Sequence, residues 1–277
     1  MDFLFGDLTF IQRGVLAALI VGFICPLLGS FLLVRRVTII SESLSHVTLT
    51  GISAGVLMGQ TMQFMDVNPL YSGLLFALIG SLLIEKLRQE YRHFQELAIP
   101  IILSAGIGLS AILISIAQTG YTEWFNYLFG SIVSVTQEDL LFIIITAFVV
   151  LLIMIFFFKE FISISFDQEY AKVSGISLKG MNFLFSLLVA LVISMSMKVV
   201  GILLVGALIA LPVAAAIRVA KSFKQVMFLG VLFGEAAILS GVYISYHMDI
   251  ATGGTIVMSA MFILAIVVCL QMIFSRS

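Results

Sequence analysis

Charged side chains are scarce in this sequence: aspartate, glutamate, lysine and arginine make up 10% of its 277 residues, whereas hydrophobic residues make up 61%. The mean hydropathy of +1.21 is far above that of soluble globular domains and excludes a water-soluble enzyme. The net charge of −1 provides no basic surface for nucleic acid. Only two cysteines are present, Cys25 and Cys269, and their wide separation excludes a disulfide framework or a cysteine metal motif.

The hydrophobic residues form runs long enough to cross a membrane, since a transmembrane helix needs about 20 mainly apolar residues. We therefore predict an all-α polytopic membrane bundle of eight to nine transmembrane helices, in one transmembrane domain over residues 1–277. The predicted spans are 14–34, 42–62, 70–85, 97–117, 139–158, 181–197, 199–217, 225–244 and 253–274. The segments on either side of Lys198, predicted as two spans, could instead form a tilted or partly re-entrant hairpin.

The basic residues predict the orientation of these spans, because cytoplasmic loops retain lysine and arginine. Alternate loops contain twelve of the 14 basic residues: Arg35, Arg36, Lys86, Arg88, Arg92, Lys159, Lys172, Lys179, Arg218, Lys221, Lys224 and Arg276. The opposite loops contain acidic residues: Asp2, Asp7, Asp66, Glu123, Glu138, Asp139 and Asp249. We expect a multi-pass protein with its amino terminus outside and its carboxyl terminus in the cytoplasm.

An acidic residue and a histidine, Glu42 and His46, fall four positions apart inside a predicted span. Side chains at this spacing project from one face of a helix, and a charge in the membrane interior costs about 3 kcal/mol or more. A carboxylate with an imidazole favours zinc, manganese or iron. The pair predicts a metal path; a buried ion pair that holds the bundle together is the alternative. Neighbouring hydroxyl residues suggest that the path is wet: Ser41, Ser43, Ser45, Thr48 and Thr50.

The opposite face of the same helix contains Gly51, Gly55 and Gly59. Small residues at this spacing allow another helix to approach closely. We therefore expect one side of the helix to pack and the other side to present the carboxylate and the imidazole.

Four further polar residues lie in or near the predicted spans. Glu235, near the middle of its span, is open to three roles: a third metal ligand, a proton-linked gate, or a protonated carboxyl hydrogen-bonded within the bundle. Lys198 is expected to extend to the outer membrane surface. His247 and Asp249, at the outer end of a span, are weaker metal candidates or parts of a solvated loop.

No Gly-x-x-x-x-Gly-Lys-Ser/Thr motif is present, so ATP-driven transport would need a separate ATP-binding polypeptide. We expect no permanently bound cofactor. The cytoplasmic stretch from Phe166 to Ile176 has the pattern of a short helix that ends at Gly175. Such a helix, lying parallel to the membrane, can dock in a partner's groove.

Several stretches, in order along nearly the whole chain, carry a family resemblance. They are Leu28–Arg36 leading into Ser41–His46, Phe129–Ile132, Phe166–Ile176, Val199–Ala215 and, more loosely, Ser245–Asp249. The sequence resembles the membrane permease of zinc/manganese/iron ABC importers, which work with cluster A-I metal-binding proteins. The resemblance implies a type II importer permease, related to the vitamin B12 importer class, in the cytoplasmic membrane of a prokaryote. It also implies a second copy of the permease, two cytoplasmic ATP-binding subunits and an extracytoplasmic metal-binding protein.

The resemblance assigns the metal path to Glu42 and His46, although aspartate is usual where this chain has Glu42. It assigns coupling to the ATP-binding subunit to the cytoplasmic segment, with these residues: Phe166, Asp167, Glu169, Ala171 and Gly175. Our hypothesis is ATP-driven import of a divalent transition metal held by Glu42, His46 and Glu235, with zinc favoured over manganese because His46 and His247 supply nitrogen ligands. A proton-coupled metal carrier, with Glu235 and Lys198 as its relay, and a membrane-embedded enzyme or scaffold are the alternatives.

Overall fold

The computed structural model describes residues 9–61, 68–91, 94–117 and 121–274, and within these ranges the regular structure is helical. The helices are α1 (Phe10–Val34), α2 (Ile39–Thr61), α3 (Pro69–Glu90), α4 (Ala98–Ile116), α5 (Tyr121–Phe129), α6 (Gln137–Phe156), α7 (Phe158–Phe166), α8 (Gln168–Val173), α9 (Leu178–Val200), α10 (Ile202–Val219), α11 (Phe223–Met248) and α12 (Thr252–Phe274). A short 3₁₀ turn, Gln95–Leu97, leads into α4. Five residues used to predict the orientation lie outside the described residues: Asp2, Asp7, Asp66, Arg92 and Arg276. The side chain of Glu123 is also outside this description.

The predicted membrane bundle is confirmed. In the described part of the chain, eight helices are long and apolar enough to cross a membrane: α1, α3, α4 with its leading turn, α6, α9, α10, α11 and α12. The remaining predicted span, 42–62, corresponds to α2. This helix has 23 residues, but it is too polar to be among the eight helices that meet the hydropathy criterion for a membrane span. The span predictions therefore correspond to helices throughout, and α2 differs from the other spans in polarity.

The two segments around Lys198 are separate helices. Between α9 and α10, Gly201 has a φ of +88° and is the N-cap residue of α10. This left-handed conformation ends one helix and starts the next, and glycine adopts it without the steric cost of a Cβ. Both helices pass the length and composition criteria for a membrane span.

One compact unit consists of Met1–Thr38, Phe125–Leu152 and Met195–Ser277. In this unit α11 packs against α1, α10 and α12, and α10 also packs against α1 and α12. Glycine allows one of these close approaches, because a Cβ at Gly234 on α11 would lie 2.5 Å from Cγ of Pro26 on α1. We refer to these segments as unit 1.

The other compact unit, unit 2, consists of Ile39–Trp124 and Ile153–Ser194. Here α2 packs against both α3 and α4, and the short helices α7 and α8 pack against each other. Helices α5, α6 and α9 contribute residues to both units.

In unit 1 the backbones of three chain segments are in direct contact: the end of α5, the α9–α10 break and the start of α12. A Cβ at Gly253, in the first turn of α12, would overlap the carbonyl oxygens of Val200 and Phe129. Gly130, with a φ of +76°, lies in the same way against the backbone of residues 199–201. The absence of side chains at these glycines therefore fixes how the end of α5, the α9–α10 break and the start of α12 fit together.

We predict that Gly253→Ala destabilises the protein by about 1–3 kcal/mol, because the added methyl group overpacks a backbone contact. The adjacent Gly254 provides a matched control, since no described heavy atom lies within 4 Å of its Cβ position. Gly254→Ala should be neutral or slightly stabilising in a helix. Thermal unfolding of the two purified variants in detergent is the measurement, and equal midpoints would contradict the prediction.

Candidate functional site

Three hydroxyl groups of α2 donate to carbonyls of the helix itself. Ser45 Oγ donates to the carbonyl of Ser41 at 2.8 Å, Thr48 Oγ1 to Leu44 at 2.7 Å, and Ser53 Oγ to Leu49 at 2.8 Å. These three side chains are buried. The interpretation that the hydroxyl residues make the path wet is wrong, because all five of them are buried among other side chains.

Helix α2 is held on two sides. On one side Gly51 and Gly55 approach Ser72 of α3, so that a Cβ at Gly51 would lie 2.5 Å from its carbonyl oxygen. On the other side Thr50 Oγ1 donates to the carbonyl of Gly106 on α4 at 3.0 Å. Gly59, predicted to share the packing face, has no described heavy atom within 4 Å of its Cβ position.

Gly106 also positions His46. A Cβ at Gly106 would lie 3.1 Å from the backbone nitrogen of Val47 and 3.2 Å from the carbonyl carbon of His46. A second bond between the same two helices runs from Ser43 Oγ to the carbonyl of Ile99, at 3.3 Å. The close contact between α2 and α4 therefore holds the backbone that carries the imidazole.

Glu42 and His46 lie together on α2. Glu42 Oε1 is 3.8 Å from His46 Nε2, and the exposed fractions of the side chains are 51% for Glu42 and 14% for His46. Two ligands of one tetrahedral zinc ion, with bonds of about 2.1 Å, lie roughly 3.4 Å apart. Only a small rotation of either side chain would let both contact one ion, and the exposed carboxylate leaves that ion accessible.

The pair alone does not make a closed metal site. Among the described residues, no three histidine, cysteine, aspartate or glutamate side chains are grouped so that they could hold a metal ion. Two protein ligands leave the remaining coordination positions to water or to another chain. An ion held by a complete ligand set leaves slowly, so two protein ligands would hold an ion only transiently.

Glu235 lies on α11 in unit 1, half-buried. Its Oε1 is 3.3 Å from the position that a Cβ would take at Gly22 on α1. The α1 backbone is unusual here, because Pro26 has no N–H to donate to the Gly22 carbonyl one turn earlier. Glu42 and His46 belong to unit 2, so a shared role with Glu235 stays a prediction.

His247 and Asp249 are both exposed at the end of α11. His247 Nδ1 lies 3.0 Å from the carbonyl oxygen of Tyr243, and the rings of the two residues are tilted by 37°, with centroids 4.2 Å apart. Asp249 is the C-cap residue of α11 and has a φ of +53°, in the left-handed region.

The segment predicted to be cytoplasmic contains the predicted short helix, α8. Asp167 caps its start by accepting a bond from the backbone N–H of Tyr170 at 2.9 Å. At its end the N–H of Gly175 donates to Lys172 and that of Ile176 donates to Ala171, with Gly175 at a φ of +84°. This is the Schellman arrangement that a terminal glycine favours.

The two faces of this segment differ. Ala171 is fully buried, whereas Phe166, Tyr170 and Val173 are 61%, 65% and 88% exposed. Glu169 is exposed in the first turn of the helix. Large exposed apolar side chains beside a buried alanine are typical of a surface that another molecule covers.

A family model with the description "ABC 3 transport family" matches residues 7–271. The chain belongs to this family. It is 30% identical over 252 residues to the manganese transport system membrane protein MntC of Listeria monocytogenes, across 91% of this chain and 87% of that protein.

Two solved structures share the fold of this chain. PsaBC from Streptococcus pneumoniae in complex with Fab has a TM-score of 0.82 and 28% identity, over 95% of this chain and 92% of that chain. A metal-chelate type ABC transporter in an inward-facing conformation has a TM-score of 0.74 and 17% identity, over 92% of this chain and 84% of that chain. The second likeness shows the fold alone. The predicted all-α fold is thereby confirmed for the described residues, and these two structures share it.

Sequence reasoning missed an ion pair in unit 1. Lys198 Nζ, at the end of α9, lies 2.8 Å from Asp139 Oδ2, in the first turn of α6; the Lys198 side chain is 18% exposed and that of Asp139 is 1% exposed. The structure shows that a nearby buried carboxylate pairs with the charge of Lys198. The extension of Lys198 to the outer membrane surface stays a prediction. Thr136 and Asp139 have the spacing of a capping box, and each accepts a bond from the other's backbone N–H. This pattern predicts the start of α6 but not the pairing with Lys198.

We predict that Lys198→Met lowers the stability of the protein by about 3–5 kcal/mol, because Asp139 is left buried without a counter-charge. Adding Asp139→Leu to the same chain should restore most of this loss, since two apolar groups can replace a buried ion pair at little cost. Thermal unfolding of the single and double variants measures both effects. A double variant less stable than Lys198→Met alone would contradict the prediction.

Proposed function

We propose that this chain is the permease subunit of an ATP-driven importer that carries a divalent transition metal across the cytoplasmic membrane. The single observation that carries the proposal is the Glu42–His46 pair, 3.8 Å apart on one face of α2. The other polar side chains of this helix for which a bond is described above are satisfied by backbone carbonyls, so the carboxylate and the imidazole are the groups left for an ion.

Manganese is the first metal to test and zinc the second. One carboxylate oxygen and one imidazole nitrogen suit both ions. The initial preference for zinc depended on two histidines, and His247 is directed toward the Tyr243 carbonyl at the end of another helix. The similar protein from Listeria monocytogenes is named for manganese transport, which favours manganese here.

The energy would come from ATP bound by two cytoplasmic partner subunits, which contact the surface of Phe166, Tyr170 and Val173. A second copy of the permease would complete the ion path, and an extracytoplasmic protein would deliver the metal. The alternative of a proton-coupled carrier loses support, because the Lys198 ammonium group proposed for its relay is paired with Asp139 rather than with Glu235.

For the metal path, we predict that Glu42→Gln and His46→Gln each lower the maximal rate of manganese uptake at least tenfold at equal membrane abundance, because each removes an ion ligand. Glu42→Asp keeps the carboxylate and should retain uptake. Uptake of radioactive manganese and zinc by cells with the complete transporter is the measurement. Glu138→Gln, at an exposed acid on α6, is the control for charge removal. Uptake by Glu42→Gln and His46→Gln at the rate of the unmodified protein would rule out this site.

For the cytoplasmic segment, we predict that Val173→Glu abolishes co-purification of the ATP-binding subunit, because it places a charge in an apolar contact. Gln168→Glu adds the same side chain to the opposite face of α8, about 200° around the helix from Tyr170. This control should leave co-purification unchanged. Loss of the partner in both variants, or in neither, would reject the assigned surface.

A further inference from the structure

Unit 1 contains a partly enclosed cavity at the end of α11, which we call the outer cavity. It lies between the first turns of α1, the segment after α5, the last turns of α11 and the start of α12. Its polar lining consists of Asn126, Ser131, Ser245, Tyr246, Asp249 and Thr252. By the charge distribution of the loops, this end of the bundle is expected to face outward, where the metal arrives.

The size of the outer cavity suits a hydrated ion. Its volume is about 350 Å³, whereas six water molecules at about 30 Å³ each occupy roughly 180 Å³. A divalent cation with a complete octahedral shell of six waters therefore fits, and its outward-pointing O–H groups need hydrogen-bond acceptors. Amide, hydroxyl and carboxylate oxygens of the polar lining are such acceptors.

The charge of the cavity also suits a cation. Asp249 is its acidic residue, and no lysine, arginine or histidine is among the described residues that line it. Ile11 and Val15 line it from α1, and Arg13 lies between them on the opposite side of that helix, about 200° around from Ile11. Within the described part of the chain, the Asp249 carboxylate has no hydrogen bond or ion pair.

Two hydroxyl residues of the cavity lining, Ser245 and Thr252, form bonds at the turn between α11 and α12, next to Asp249. Ser245 Oγ bonds to the carbonyl of Ile250 at 2.7 Å and lies 3.0 Å from Thr252 Oγ1. The backbone N–H of Asp249 donates to the carbonyl of Ser245. These bonds hold the turn between α11 and α12, so Asp249 is carried by a fixed backbone.

We propose that the outer cavity receives the incoming divalent cation with its water shell intact, held by Asp249 through bound water, before Glu42 and His46 replace some of those waters. The cavity offers one carboxylate and several neutral oxygens, which suits outer-sphere capture better than direct coordination. The proposal rests on the proposed function, because it assigns an arrival position to the same transported ion.

Hexaamminecobalt(III) provides the test, because this ion has the size and shape of a hexahydrated cation but does not exchange its ligands. It should inhibit manganese uptake by the complete transporter in cells. Asp249→Asn should lose that inhibition and raise the manganese concentration for half-maximal uptake about fivefold, with an unchanged maximal rate. Asparagine has nearly the same shape and tolerates the left-handed backbone of this position. Asp249→Gly, which also accepts that backbone, serves as a second variant.

A control variant removes a charge at the same predicted face without altering the cavity lining. Glu138→Gln changes an exposed side chain that does not line the cavity. It should keep the inhibition and the half-maximal concentration of the unmodified protein. Because the inhibition is a ratio of rates within one variant, differences in membrane abundance do not affect it.

Equal inhibition of the unmodified protein and Asp249→Asn, or no inhibition of either, would overturn the proposal. So would an unchanged half-maximal concentration in Asp249→Asn. Failure of the proposed function gives a different result, since Glu42→Gln and His46→Gln would then keep the maximal rate. Glu42→Gln and His46→Gln test the proposed function through the maximal rate of manganese uptake. Asp249→Asn tests the outer cavity through the manganese concentration for half-maximal uptake.

Discussion

Polar groups in an apolar surrounding need partners inside the protein, and this constraint accounts for where most polar side chains of the helices lie. Ser45 and Thr48 meet it within their own helix, by donating to carbonyls one turn earlier. Asp139 and Lys198 meet it by pairing with each other across two helix ends. Glu42 differs, because half of its side chain remains exposed on a helix whose neighbouring hydroxyls are already satisfied. That difference separates polar groups that support the fold from a group that is available for an ion.

Close helix contacts decide which face of α2 remains open. Gly51 and Gly55 bring α3 against one side, and Gly106 brings the backbone of α4 against the segment that contains His46. Each contact depends on the absence of a side chain, so the backbones themselves set the spacing. With both sides held, the turn from Glu42 to His46 has a defined position, which a weak two-ligand site requires because few bonds hold the ion.

The α2 pair and the outer cavity would act at different stages of ion hydration. A cavity with one carboxylate and neutral oxygens can exchange contacts with bound water at little cost. The Glu42–His46 pair has the nitrogen and oxygen ligands that replace water in the first coordination shell. Neither place contains a complete ligand set among the described residues, and incomplete coordination allows an ion to move on. In the proposed function, the exposed apolar residues of α8 would provide the other requirement, a surface through which a partner's movement reaches the membrane helices.

The sequence by itself determined the order of the long helices, the short helix with its capping glycine, and the shared face of Glu42 and His46. These features depend on local periodicity and on intervals of one helical turn, which a linear sequence contains. Only the tertiary structure decided that Lys198 pairs with Asp139, that the described hydroxyls of α2 are buried, that Gly59 has no packing contact among the described residues, and that the α11–α12 turn borders a cavity. Those features join residues far apart in the chain or depend on which helix faces are covered, and both follow from the packing of helices rather than from the spacing of residues.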